Sequence, residues 1–382
     1  MRVCLLVVGP VADDPRVRRQ GDALAGAGHD VTAIGLEGAT SPGPAWKVVT
    51  VPRRRDRLAV ATLGLRLLGV RVAPWLADRA YWSFNEHRRM LDAAVATGAE
   101  VVHANDWDTL PVAAAAAERL GAPVLYDSHE LAVEESDRRL WRLLFPAYVR
   151  RLEGRSIHVA AVVTTVANGI ADALMAQYRL RERPTVIRNT PPYQEVAFRE
   201  PGERITVLYQ GLLNPDKGLD RLIASVDQWH PEFRLVLRGY GIPRYEAHLR
   251  SLASGNPRIE FAPSVPMTEM VTAASTADIG IHPLPAVNRQ TRYALPNKLF
   301  EYAMAGLALC VSGAPEMKRV VDEHALGVTF PDAEPATIAA AVNSLDRVSI
   351  ATYKRNALAA ARVLSWEQEQ TKLLEIYERL AG

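Results

Sequence analysis

Positive charge beside pliant backbone is the first chemical signal in this chain. Gly211-Leu-Leu-Asn-Pro-Asp-Lys-Gly218 follows an apolar run and precedes a helical pattern beginning near Leu219. Its glycines admit close approach of a ligand, and Lys217 offers an ammonium to a phosphate. A plain strand-to-helix turn with a surface lysine reads the same way. The segment Arg292-Tyr-Ala-Leu-Pro-Asn-Lys-Leu-Phe-Glu-Tyr-Ala-Met-Ala-Gly306 shifts the balance. Pro296 suits the first turn of a helix. Free N–H groups near Asn297, together with Lys298, would bind a diphosphate, and Glu301, about one turn further on, would accept hydrogen bonds from ribose hydroxyls. Arg238-Gly-Tyr-Gly241 ends another apolar run between these segments, where Gly239 permits close approach of a base or ribose.

The first half of the chain carries a second group of polar residues at the ends of apolar runs. His129 lies in Tyr126-Asp-Ser-His-Glu130, where it can accept or relay a proton near neutral pH or hydrogen-bond a sugar hydroxyl. His103 and Asp106 close the preceding run and, with Glu130, are candidates for orienting an acceptor. Asp106-Trp-Asp108 spells a pattern that can hold a divalent cation. Helix N-capping and strand-end contacts explain it more simply, and no catalytic metal is expected.

The elements that must position these residues follow a βα rhythm. Residues 2–8 form a continuous apolar run suited to a parallel strand covered on both faces, and His29-Asp-Val-Thr-Ala-Ile reads as a second strand. Runs starting at Glu100, Ala122, Ala160 and Pro184 continue the series, which predicts a first domain over 1–190. A new series starts at Ile205 and passes through Arg234, Arg258 and Ala277 to Leu307, which predicts a second domain over 191–365. The last segment, 366–382, is a charged amphipathic helix whose Leu373, Leu374, Ile376, Tyr377 and Leu380 are expected to pack back on the first domain. Residues 53–94 break the rhythm as a helical insertion rich in arginine, with Trp75, Tyr81 and Trp82. Both a solvated helical hairpin and a membrane-surface patch fit that composition.

At 382 residues the chain suits two medium-sized α/β domains. The near balance of 45 Lys and Arg against 43 Asp and Glu removes any whole-chain electrostatic case for nucleic-acid binding. Cys4 and Cys310 sit inside apolar runs and read as core residues, which fits a reducing compartment. No signal-peptide pattern or membrane-spanning stretch is evident, so a cytoplasmic protein, free or peripheral to a membrane, is expected.

These segments together resemble the large retaining glycosyltransferase family 4, whose pattern is Gly-Arg-hydrophobic-x-x-x-Lys-Gly followed by a Glu, seven residues and a second Glu. Gly211, Leu213, Lys217 and Gly218 match the first part, Glu301 matches the second carboxylate, and Pro296-Asn-Lys-Leu-Phe-Glu-Tyr is wording common in one branch. The resemblance implies a GT-B fold, two Rossmann-like doubly wound domains facing across a cleft. It also implies retaining, metal-independent transfer of a sugar from a nucleoside-diphosphate donor. It makes Lys217, Glu301 and His129 catalytic. Arg16, Gly211, Leu213, Gly218, Gly239, Tyr293, Pro296, Asn297, Lys298 and Leu299 become donor contacts. No cofactor is implied beyond the donor substrate. Leu212 stands where the family has an Arg, and Tyr293 where it has its first Glu. An inverting transferase, a nucleotide-sugar epimerase and a nucleotide-sugar-binding protein without turnover share the architecture. Uridine, guanosine and thymidine diphosphates all fit the donor site, and small-molecule, glycan and lipid-linked acceptors all fit the acceptor domain.

Overall fold

The computed structural model describes residues 1–53, 67, 69–70, 73–134 and 139–381. The chain divides into two compact units, one comprising Met1–Arg188 with Gln370–Gly382 and the other Asn189–Glu369.

In the first unit, β1 (Arg2–Leu6), β2 (Asp30–Leu36), β3 (Lys47–Val51), β4 (Val101–Asn105), β5 (Val124–Ser128), β6 (Ala160–Thr165) and β7 (Thr185–Val186) form a seven-stranded sheet in the order β3-β2-β1-β4-β5-β6-β7. Every pairing is parallel. β1 pairs with both β2 and β4, so Cys4 lies opposite Thr32 on one side and Val102 on the other. Apolar side chains on successive residues bury both faces, the pattern of a parallel strand covered by helices. The chain order reverses between β1 and β4, opening a crevice at their carboxyl ends. β3 was not foreseen in the sequence. Exposed over most of its length, with Val51 alone buried, it has the pattern of an edge strand.

The helix Asn85–Ala96 corrects the expected insertion over 53–94. It connects β3 to β4 and packs on β2, β3 and the helix Leu110–Leu120, so it is the crossover that a parallel sheet requires. Residues 54–66, 68, 71 and 72 of that expected insertion lie outside the described residues. Trp75 is exposed, whereas Tyr81 is buried and stacks on His87 at 3.8 Å. The helix Trp366–Ala381 belongs to the first unit from Gln370 onward, and buries Leu373, Ile376 and Tyr377.

In the second unit, β8 (Ile205–Gln210), β9 (Phe233–Arg238), β10 (Ile259–Ala262), β11 (Ile279–His282), β12 (Ala308–Ser312) and β13 (Gly327–Phe330) form a six-stranded sheet in the order β10-β9-β8-β11-β12-β13. β13 was also unforeseen, a four-residue strand beginning on a glycine. The core gathers Val207, Leu235, Ile279, Ile281 and Cys310. Here the order reverses between β8 and β11, and both strands end in polar residues, Gln210 and His282. Both cysteines are buried free thiols. Among the described residues no helix is long and apolar enough to cross a membrane.

Candidate active site

In the second unit the polar groups converge on the carboxyl ends of β8 and β11, where a doubly wound sheet collects ligands. Gly211 follows β8 with φ 130°, and a Cβ added there would lie 3.0 Å from Lys298 Nζ. The lysine therefore rests directly over bare backbone. Its ammonium donates to the Tyr209 hydroxyl at 3.3 Å and lies 4.7 Å from the centre of that ring. Tyr209 in turn donates to the Leu212 carbonyl at 2.9 Å, so it ties the lysine to the glycine loop. Burial lowers the Lys298 pKa to about 8, against a smaller opposing effect of the Glu301 carboxylate.

Lys298 opens the helix Asn297–Met304, whose N-cap Pro296 supplies no side-chain acceptor to the first-turn N–H groups. The helix is fixed by Tyr302, whose hydroxyl accepts from Gln210 N–H at 2.8 Å and whose ring occupies the space left by the missing side chain of Gly280. Lys217 ends the short turn Pro215–Lys217, and Gly218 follows with φ 71°. His282 is a residue the sequence reading missed. It is buried, its Nδ1 has no hydrogen-bond partner among the described residues, and burial, then Lys298, then Lys217 hold it in the neutral form. Its position as the last residue of a central strand was the available signal.

Of the expected donor contacts, Gly211, Lys217, Lys298 and the Pro296–Asn297 helix start come together here. Glu301 and Tyr293 are partly exposed, Glu301 one turn along that helix and Tyr293 just before it. Leu213 and Leu299 do not belong to the surface of the site, because both side chains are buried in the core at 1% and 0% exposure. Gly239 touches the glycine loop itself, since a Cβ there would lie 1.8 Å from the Gly211 carbonyl oxygen. Gly239→Ala is expected to destabilise the second unit by about 2–4 kcal/mol. Scanning calorimetry would then show a fall in Tm of roughly 5–15 °C. An unchanged Tm would mean that the two loops separate freely.

In the first unit the corresponding crevice, about 240 Å³, is lined by the loop after β1, by Asn105 at the end of β4, and by Asp106 and Asp108 after it. Behind it stands a carboxylate that the sequence reading did not single out. Asp127 Oδ2 accepts from Arg16 Nε at 2.6 Å, Gln20 Nε2 at 2.5 Å and His129 Nε2 at 3.0 Å. Its Oδ1 accepts from Arg16 Nη2 at 2.8 Å and Thr164 Oγ1 at 2.7 Å. Burial would raise the Asp127 pKa, but Arg16 and then His129 overcome that and hold it well below the usual carboxylate range.

Four expectations are corrected here, the last in part. Arg16 is not a phosphate contact, because its fully buried guanidinium is committed to Asp127 and, at 3.0 Å, to the Ile187 carbonyl. His129 does not accept a proton near neutral pH. Burial lowers its pKa, but Asp106, 2.9 Å from Nδ1, and Asp127 more than reverse this and push it up to about 10, so it is an imidazolium with both ring nitrogens engaged. His103 does not face an acceptor. It is fully buried, contacts the Tyr377 hydroxyl at 3.0 Å and is held neutral by burial, with its pKa near 4. Of the two explanations for Asp106, strand-end contact holds and helix capping does not. The residue adopts φ 64°, and its carboxylate accepts from both the backbone and the ring of His129, while Thr109 precedes the following helix. Glu130 is exposed beside this cluster.

Residues 14–190 match the glycosyl transferase 4-like domain, and residues 204–346 match the glycosyl transferases group 1 domain. A D-inositol 3-phosphate glycosyltransferase from Acidothermus cellulolyticus is 26% identical over 305 residues, a match spanning 73% of this chain and 66% of that protein. The matched region is thus just under two thirds of that relative's length. Among solved structures, sucrose-phosphate synthase from Thermosynechococcus elongatus superposes with a TM-score of 0.74 at 18% identity, covering 100% of this chain and 99% of that one. Anabaena HepE in complex with UDP superposes with a TM-score of 0.69 at 16% identity, covering 99% and 100%. The fold is GT-B.

Proposed function

Because the chain belongs to the glycosyltransferases built from a 4-like domain followed by a group 1 domain, we propose that it moves a sugar from a nucleoside-diphosphate donor to an acceptor hydroxyl with retention of the anomeric configuration. The observation that carries this reading is the Lys298 ammonium seated over Gly211 at the start of an uncapped helix. Diphosphate oxygens would lie against the Gly211 loop, the Lys298 and Lys217 ammonium groups and the first-turn N–H groups of the helix. Glu301 would accept hydrogen bonds from the ribose.

As the glycosidic bond breaks, the electron pair passes to the diphosphate oxygen, where those positive groups lower the barrier. The acceptor hydroxyl forms the new bond at the sugar and gives its proton to the leaving phosphate. That route needs no side-chain base, which suits a His129 already protonated and engaged on both sides. Local cations meet the diphosphate charge, so the reaction is read as independent of a divalent metal.

UDP is the first donor class to test, since HepE was crystallised with it. The relative's name gives a phosphorylated cyclitol. Here the crevice after β1 and β4 carries Asp13, Asp14, Asp106 and Asp108, and Arg16 is sequestered, so an uncharged acceptor suits it better. Leu212, 44% exposed where the family has its Arg, favours a second reading, donor binding without turnover.

Thermal-shift measurements with UDP-, GDP- and dTDP-sugars, in the presence of a chelator, test the donor site. One nucleotide class is expected to raise Tm, by roughly 5–10 °C at a hundredfold excess over Kd. Lys217→Ala and Glu301→Ala should abolish the shift. No shift with any donor, or variants responding like wild type, would remove the phosphate site. Binding without transfer to any hydroxyl acceptor would select the second reading.

A further inference from the structure

The helix Arg139–Ser156 in the first unit has a solvent face that the transfer reaction does not use. Leu140, Leu143, Arg150 and Arg151 recur at spacings that place them on one stripe of a helix. Leu140 is 68% exposed and Leu143 48%, while Leu144, Tyr148, Val149 and Leu152 bury the other side. The amphipathic helix therefore buries one apolar side and leaves two leucines protruding on the other.

Among the described residues of this helix the exposed charges have one sign. The helix's single acidic residue, Glu153, is buried and accepts from the hydroxyls of Tyr126 and Tyr178, each at 2.6 Å. Arg155 is exposed and paired with Asp78 of the adjoining helix Leu76–Tyr81 at 2.9 Å. Among the described residues Arg150 and Arg151 make no ion pair, and both are exposed. Trp75, just before that adjoining helix, is 53% exposed and carries the Arg79 guanidinium over its ring at 4.9 Å.

We propose that this face docks on an anionic lipid surface, with Leu140 and Leu143 entering the boundary between headgroups and acyl chains and Arg150 and Arg151 meeting lipid phosphates. Arginine beside protruding leucine and tryptophan is the composition of a helix lying in a membrane interface. A nucleic-acid backbone would use the arginines and leave the leucines in water. The surface differs from the expected one at 53–94, touching it only through Trp75 and Arg79. The proposal holds whatever sugar the protein transfers.

Flotation of the full chain with phosphatidylcholine vesicles, with and without phosphatidylglycerol, tests it. The protein is expected to float only with the anionic vesicles, and less as salt rises. The pair Leu140→Asp with Leu143→Asp, and the pair Arg150→Glu with Arg151→Glu, should each reduce the bound fraction by about tenfold or more. Both pairs lie in solvent, so Tm should hold; if one lowers it, the other decides. Failure to float, equal flotation with neutral vesicles, or both double variants floating like wild type would overturn the proposal. Retention on heparin without vesicle binding would likewise overturn it and assign the arginines to a soluble polyanion.

Discussion

Lys298→Ala is expected to lower kcat/KM by about two to three orders of magnitude, the cost typical of removing one preorganised group aimed at developing charge, while leaving the unliganded protein at least as stable. Both effects come from the same burial. The ammonium sits over Gly211 and the Tyr209 ring with its pKa lowered to about 8, so the charged form is disfavoured until an anion arrives. Between pH 8 and the ordinary lysine value of 10.5, the unfolded chain holds a proton that the native state has released. Wild-type stability therefore gains from this group as pH rises through that window, and the alanine variant lacks the gain. Diphosphate binding restores the proton, so affinity for UDP should fall by up to about tenfold per pH unit above pH 8, with proton uptake. Calorimetry at pH 8.5 in two buffers of different ionisation enthalpy measures that uptake. Binding without uptake, or a variant that turns over normally, would displace Lys298 from the diphosphate.

Asp127→Asn is expected to destabilise the first unit by about 3–5 kcal/mol, a fall in Tm on the order of 10 °C. Its five hydrogen bonds all come from donors: two guanidinium nitrogens of Arg16, Gln20 Nε2, His129 Nε2 and Thr164 Oγ1. An amide would turn an NH₂ toward donors and leave the buried Arg16 charge short of its counter-ion. The pH profile carries two signs. Asp127, depressed below its ordinary value of 3.8, contributes stability present above that value and lost as pH falls through the lower folded one. His129, raised from 6.5 to about 10, contributes stability fully present below 6.5 and lost as pH rises to 10. The variant should flatten both limbs. Thermal melts from pH 3 to 10 would show it, and a variant with the wild-type profile would refute the hub.

The proposed phosphate site could be read from sequence because its determinants are local. Gly211, Lys217 and Gly218 lie within one turn, and Pro296, Lys298 and Glu301 within another. The strands that place them announced themselves as apolar runs. What escaped was non-local or opposite in burial. Arg16 and Asp127 are 111 residues apart, so nothing in the spelling of either segment shows that they neutralise each other. His129 looked like a proton acceptor because its ordinary pKa suits that task, and only Asp106 and Asp127 on either side make it a fixed cation. Leu213 and Leu299 fell inside matching motifs, yet a motif records position without recording which side of the backbone faces the ligand. The helix Asn85–Ala96 was hidden by the arginine-rich stretch before it, which disguised an ordinary crossover.

The Tyr302 hydroxyl receives the Gln210 N–H at 2.8 Å and reaches the Ile281 carbonyl at 3.5 Å, thereby spanning the two strands between which the second sheet reverses. With the ring lodged against Gly280, the helix can neither slide along its axis nor roll. Lys298 and Glu301, three residues apart on that helix, thus behave as two teeth of a rigid comb whose spacing is set when the unit folds. A nucleotide meeting them needs no ordering step, so its loss of freedom is confined to the ligand. Association should follow a single exponential whose rate grows linearly with concentration.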